Sequence, residues 1–169
     1  DIKTLVDLTL KNENDALKKL RAIYGNLGLS ADGGTTYLAG FRGTVFALDT
    51  DTGATRWIRD AKSEIVGGIA VEGDVIYFGT RERDLLAVDA RTAETKWVYR
   101  ADGEVWSTPT IQGDSLYFTS LDGTVYALNA ASGKEIWTFD GAKSGIAAQV
   151  TVADGALYVG AFDNKLYAL

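Results

Sequence analysis

Asp49-Thr50-Asp51-Thr52-Gly53 packs two carboxylates and two hydroxyls into five residues, an oxygen-rich run of the kind that hard cations such as calcium seek. A calcium loop of the EF type needs a third oxygen ligand two residues after the second Asp, and Gly53 stands there instead. The same place further along the chain reads Arg91-Thr92-Ala93 and Ala131-Ser132-Gly133. A turn capped by its own Asp or Asn side chain fits all three copies, so no metal is expected. Composition narrows the catalytic options further, because the 169 residues include no Cys and no His. That excludes a thiol nucleophile, a thiolate zinc site, a Ser-His-Asp triad and a His-ligated metal. Carboxylates, Lys, Tyr and hydroxyls remain, and none of them forms a pattern that assigns a catalytic residue. The chain reads as a protein without enzymatic activity.

The elements that carry these residues repeat. Tyr37, Tyr77, Tyr117 and Tyr158 open four related phrases at intervals of 40, 40 and 41 residues. Ten residues after each Tyr comes Ala47, Ala87, Ala127 or Ala168, then Asp49, Asp89 or Asn129, then Trp57, Trp97 or Trp137. Within a period the residues read as four short strands. In the second unit these are Ile69-Ala-Val-Glu72, Val75-Ile-Tyr-Phe-Gly79, Leu85-Leu-Ala-Val-Asp89 and Lys96-Trp-Val-Tyr99, with polar turns between them. Four strands per forty residues, with almost no helical periodicity, predicts the blades of an all-β propeller. The blades are expected at about 25–62, 64–102 and 104–142, with an incomplete one at 145–169.

The spacing Ala-x-Asp-x-x-x-Gly-x-x-x-Trp, seen as Ala47…Trp57 and Ala127…Trp137, suits an indole held between neighbouring blades against small residues; the middle copy, Ala87…Trp97, has Ala93 in place of Gly. With this motif the chain resembles the pyrroloquinoline-quinone (PQQ) repeat family and its tryptophan-docking blades, most closely at Gly123-Thr-Val-Tyr-Ala-Leu-Asn-Ala-Ala-Ser-Gly-Lys-Glu-Ile-Trp137. The resemblance covers roughly residues 25–169 and implies a propeller whose docking residues are Ala47, Trp57, Ala87, Trp97, Ala127 and Trp137. Quinone enzymes of that family resemble one another in a vicinal disulfide over the quinone and a Glu, Asn and Asp group around calcium. With no Cys and no such cluster, no cofactor is expected here. Propellers of this type are usually eight-bladed, so about four repeats read as half of a ring. Self-association, a second chain or sequence not present here would complete it.

Binding in propellers commonly uses the loops at one face, and loops carry function more often than scaffold does. Arg42, Arg81, Arg83, Glu104 and Phe162 fall in such loops, and Arg81-Glu82-Arg83 replaces the Gly-bearing turns at Arg42-Gly43 and Asp122-Gly123. Trp106 lies outside the docking register, where other units have Val66 and Ala147, and is expected at the start of an innermost strand near the channel mouth. It reads either as a stacking anchor for a ligand or partner or as local core.

Residues 1–24 differ from the repeats. Asn12-Glu-Asn-Asp to Gly25 carries capping residues, a closing Gly and apolar residues at helical spacing, which predicts a short amphipathic helix; the rival reading is a degenerate half-blade. The chain starts on Asp1 rather than Met, which suggests a processed product or a fragment. A formal net charge of −6 gives no electrostatic footprint for nucleic acid. The expected function is a non-catalytic protein-interaction scaffold, placed outside the cytoplasm by analogy with the propeller lipoprotein of the bacterial outer-membrane barrel-assembly machinery. The alternative is a ligand-sensing or cofactor-binding propeller domain of a larger membrane-anchored protein.

Overall fold

The computed structural model describes residues 30–32, as backbone, and 34–169. Four antiparallel sheets follow one another along the chain. The first contains β1 (Ser30–Asp32), β2 (Thr35–Ala39), β3 (Thr44–Asp49) and β4 (Thr55–Asp60). The second contains β5 (Ala70–Glu72), β6 (Val75–Gly79), β7 (Asp84–Asp89) and β8 (Thr95–Arg100). The third contains β9 (Thr110–Gln112), β10 (Ser115–Thr119), β11 (Val125–Asn129) and β12 (Glu135–Phe139). The fourth contains β13 (Thr151–Ala153), β14 (Ala156–Gly160) and β15 (Leu166–Ala168). Strand order in each sheet is the order of the sequence, so each blade is a meander. This is a β-propeller arrangement; the expected N-terminal helix lies outside the described residues.

The inner strands β1, β5 and β9 contact one another in turn, which puts them on the axis and leaves β4, β8 and β12 outermost. The third strands are the buried ones. In β7, Leu85, Leu86, Ala87 and Val88 are all buried, whereas β8 alternates between exposed residues and half-buried Trp97 and Tyr99. That alternation follows from the two-residue period of a strand, which turns every second side chain toward the next blade. The core accordingly forms slabs between blades. Tyr37, Val45, Ile76, Phe78 and Val88 fill one slab, and Leu85, Val105, Leu116, Phe118 and Leu128 fill the next. Phe78 and Phe118 are fully buried, each contributing on the order of 2–3 kcal/mol.

The turns have identifiable causes. Asp154 and Gly155 both have positive φ, 50° and 78°, which matches the twist that a two-residue hairpin turn needs. Asp89 Oδ1 accepts the N–H groups of Arg91 and Thr92, and Asn129 Oδ1 accepts the N–H and hydroxyl of Ser132. Asp49 does the same with Thr52 through Oδ1, and its Oδ2 accepts from Arg56 at 2.7 Å. The oxygens of Asp49 and Thr52 are therefore engaged in holding a turn, whereas Asp51 is exposed.

Candidate interaction face

Each blade turns from its second to its third strand at one end of the propeller. The turns contain Phe41-Arg42-Gly43, Arg81-Glu82-Arg83, Leu121-Asp122-Gly123 and Phe162-Asp163-Asn164. The linker from one blade to the next lies among them and is fixed by backbone bonds. Ile65 N donates to Phe41 O at 3.2 Å, and Arg81 N donates to Glu64 O at 3.0 Å. Leu121 N donates to Glu104 O at 2.9 Å and Phe162 N to Gly145 O at 3.1 Å. The loops thus form one braced surface, and side chains at its first turn position project from a rigid base. Phe41 is 60% exposed and Phe162 63%, so this surface presents two phenyl rings to solvent.

Three of the residues singled out from sequence meet in one network. Arg81 Nε donates to Glu104 Oε2 at 3.0 Å, and Trp106 Nε1 donates to the same oxygen at 2.8 Å. Arg81 also lies 3.8 Å from Glu64 Oε1, so it bridges the linkers that lead into blades 2 and 3. The Glu104 hydrogen bond and charge raise the Arg81 pKa, and Arg81, with Trp106, holds Glu104 below the usual carboxylate range. Trp106 sits in the irregular stretch before β9 rather than at the start of a strand, and it is half-buried. Its indole is oriented by a charged acceptor, which a purely apolar filler would not need.

The other three candidates stand apart from that network. Arg42 is exposed, without a hydrogen-bond or ion-pair partner among the described residues, and lines an open cleft of about 400 Å³ with Phe41, Lys62 and Glu64. Arg83 is exposed and occupies the left-handed position, at φ 71°, that Gly43 and Gly123 hold in neighbouring blades at 84° and 93°. A β-carbon there costs about 1 kcal/mol, so the Arg is held against a local preference for Gly. Phe162 belongs to the fourth turn, beside Asp163, whose Oδ2 accepts the Tyr167 hydroxyl at 2.6 Å.

Two features were not visible in the sequence pattern. Blade 3 buries Asp122 partway; burial pushes its pKa up, but hydrogen bonds from Ser120, Thr124 and Tyr126 outweigh that and lower it. The Tyr column also does more than mark the repeat. Tyr37 Oη and Trp57 Nε1 donate to one carbonyl, Ala90 O, at 3.1 and 2.9 Å. Tyr77 and Trp97 do the same to Ala130 O, at 3.2 and 3.0 Å. Ala47, Ala87 and Ala127 are the same-blade cross-strand partners of the three Trp residues, not the surface they meet on the next blade. The next blade contributes the accepting carbonyl and, at Gly133, a residue without a side chain against the Trp97 ring.

The family model described as outer membrane protein assembly factor BamB matches residues 18–105 and, in a second overlapping match, 41–169. The chain belongs to that family. Its likeness to solved structures is broad as well. BamB from Moraxella catarrhalis is 24% identical with a TM-score of 0.76 over 85% of this chain and 45% of that one. The computationally designed Ika4 protein is 15% identical, with a TM-score of 0.76 over 84% of this chain and 88% of its own. The designed Ika8 protein is also 15% identical, with a TM-score of 0.75 over 83% of this chain and 44% of its own. These structural matches support the propeller fold, and the BamB-family chain spans less than half of the Moraxella structure. No curated protein matches the chain.

Proposed function

We propose that this BamB-family propeller is a protein-binding module of the bacterial envelope that acts in outer-membrane protein assembly, and that it does so without catalysis. The family match supports the setting, and the braced loop face supports the mode of action. The observation that carries the reading is the Glu64–Arg81–Glu104–Trp106 network on a loop face whose first and fourth turns expose Phe41 and Phe162. Aromatic and Arg side chains on a rigid base are the residues that dominate protein interfaces. Preorganisation lowers the cost of ordering them when a partner arrives.

The test reverses two charges at once, Arg81→Glu with Arg83→Glu. Both side chains are exposed, so the fold should persist, which circular dichroism checks. Pull-down of outer-membrane assembly proteins from envelope extracts is expected to fall at least tenfold relative to the unmutated chain. Unchanged recovery from a folded double variant would sink the reading.

A further inference from the structure

On the loop face, the second position of the turn between second and third strands reads Arg42, Glu82, Asp122 and Asp163 in the four blades. In blades 3 and 4 the acid is used by its own blade. Asp122 accepts the Tyr126 hydroxyl at 2.9 Å and the Thr124 N–H at 2.7 Å, and Asp163 accepts the Tyr167 hydroxyl at 2.6 Å. Blade 1 has Phe46 at the register of Tyr126, so position 42 has no such hydroxyl to bind and its Arg is not needed to build the turn.

The third turn position reads Gly43, Arg83, Gly123 and Asn164, with φ of 84°, 71°, 93° and 64°. Gly and Asn tolerate that left-handed backbone, whereas Arg does not favour it. At Gly43 a side chain is excluded outright, because a β-carbon would lie 2.2 Å from Ser63 O. Arg83 therefore stands against the preference of its own backbone, and no contact in the fold offsets that. Like Arg42, its exposed side chain has no hydrogen-bond or ion-pair partner among the described residues. A backbone outlier of this kind points to a role for the side chain. Arg42 stands beside exposed Phe41 in the cleft with Lys62 and Glu64, where Lys62 is already paired with Asp60 at 2.7 Å. Arg81 is likewise engaged, by Glu64 and Glu104. A chain of formal net charge −6 thus leaves Arg42 and Arg83 unpaired, among the described residues, on one side of its loop face.

We propose that blades 1 and 2 of the loop face bind an acidic segment of a protein partner, with one carboxylate on Arg42, a second on Arg83 and an apolar side chain on the Phe41 ring. The guanidinium fork suits bidentate recognition of a carboxylate. Glu64 and Glu82 stand among the three arginines and repel a continuous anionic surface such as a membrane, whereas separate carboxylates can avoid them. The inference rests on the reading of this face as protein-binding and adds the chemistry of the partner.

The test follows the anisotropy of a short fluorescein-labelled peptide, in which Glu alternates with Leu and Ser, as the 169-residue chain is added; a Gln-for-Glu peptide is the control. Saturable binding below about 1 mM is expected at low salt, weakening as salt is added, with the Gln peptide about tenfold weaker or worse. Arg42→Gln and Arg83→Gly should each weaken binding about threefold, as loss of one exposed ion pair does, and together about tenfold. Arg83→Gly should do so while its melting temperature holds or rises, because the left-handed position suits Gly. Equal affinity for the Glu and Gln peptides, or a double variant that loses nothing, would overturn the proposal. A fall in the melting temperature of Arg83→Gly would also overturn it, by giving the Arg a structural role. Uptake of the chain by phosphatidylglycerol vesicles that the double variant loses, with no peptide binding, would assign the two arginines to a membrane and overturn it as well. No peptide binding, with the pull-down still lost on Arg81→Glu and Arg83→Glu, would strike this inference alone; an unchanged pull-down would strike the reading beneath it.

Discussion

Ala130 O accepts two hydrogen bonds from blade 2, and that shared acceptor makes a sharp thermodynamic prediction. Tyr77→Phe removes one donor and leaves the carbonyl satisfied by Trp97, so it should cost about 1 kcal/mol. Trp97→Phe removes the other donor and also shrinks a half-buried ring, for about 2 kcal/mol. The double variant strips a carbonyl at a buried residue of both donors, which adds the penalty of an orphaned acceptor, about 1–2 kcal/mol. The total is then about 4–5 kcal/mol, where simple addition gives about 3. Urea unfolding followed by far-UV circular dichroism measures the cycle without relying on Trp emission. The pair Tyr117→Phe and Trp137→Phe is the internal control, because among the described residues those donors share no acceptor. It should be additive within about 0.5 kcal/mol. Additivity in the Tyr77–Trp97 cycle, or equal coupling in both cycles, would refute the claim that the converging donors join the blades.

Other outcomes follow from the same geometry. Gly133→Ala combines a left-handed φ of 68° with contact against the Trp97 ring and should destabilise by about 2 kcal/mol, whereas Ala93→Gly, at φ 62° in blade 2, should be neutral or stabilising; thermal melts compare them. Asp89 is held at a pKa of about 2 by the N–H groups of Thr92 and Arg91, below the ordinary 3.8, so the folded chain binds fewer protons than the unfolded one in that range. The stability this provides is complete above about pH 4 and is lost as pH falls toward 2, and the pH profile of the urea midpoint for Asp89→Asn should be flatter there than the parent's. Asp49, lowered chiefly by its hydrogen bond from Arg56, acts in the same direction.

The propeller was legible because independent columns kept one period. Tyr, Ala, Asp and Trp recurred in phase, and alternation within each strand marked which side chains turn inward. The expected docking geometry was legible only in part. Spacing showed that Trp57 needs small surroundings, but not that Ala47 pairs with it inside the sheet while Ala90, in the next blade, accepts its N–H. That distinction depends on which blade comes next in space, which no local pattern encodes. On the loop face, Arg81 stood out because it departs from the Gly-bearing turns. Its union with Glu104 and Trp106 required the linker between blades to fold back beside the turn, a long-range contact fixed by Leu121 N and Arg81 N on linker carbonyls. Asp51 shows the converse: an acidic residue that drew notice by spacing is simply exposed in a turn.

The central claim is that the braced loop face holds protein partners in outer-membrane assembly. Photocross-linking tests it most directly, with benzoylphenylalanine placed at position 162 on that face or at position 98 on the outer strand β8, where Val98 is about equally accessible at 52%. The account predicts cross-links to outer-membrane assembly proteins from position 162 and not from position 98. Cross-links from position 98 alone, or none from position 162 in a folded chain, would contradict it.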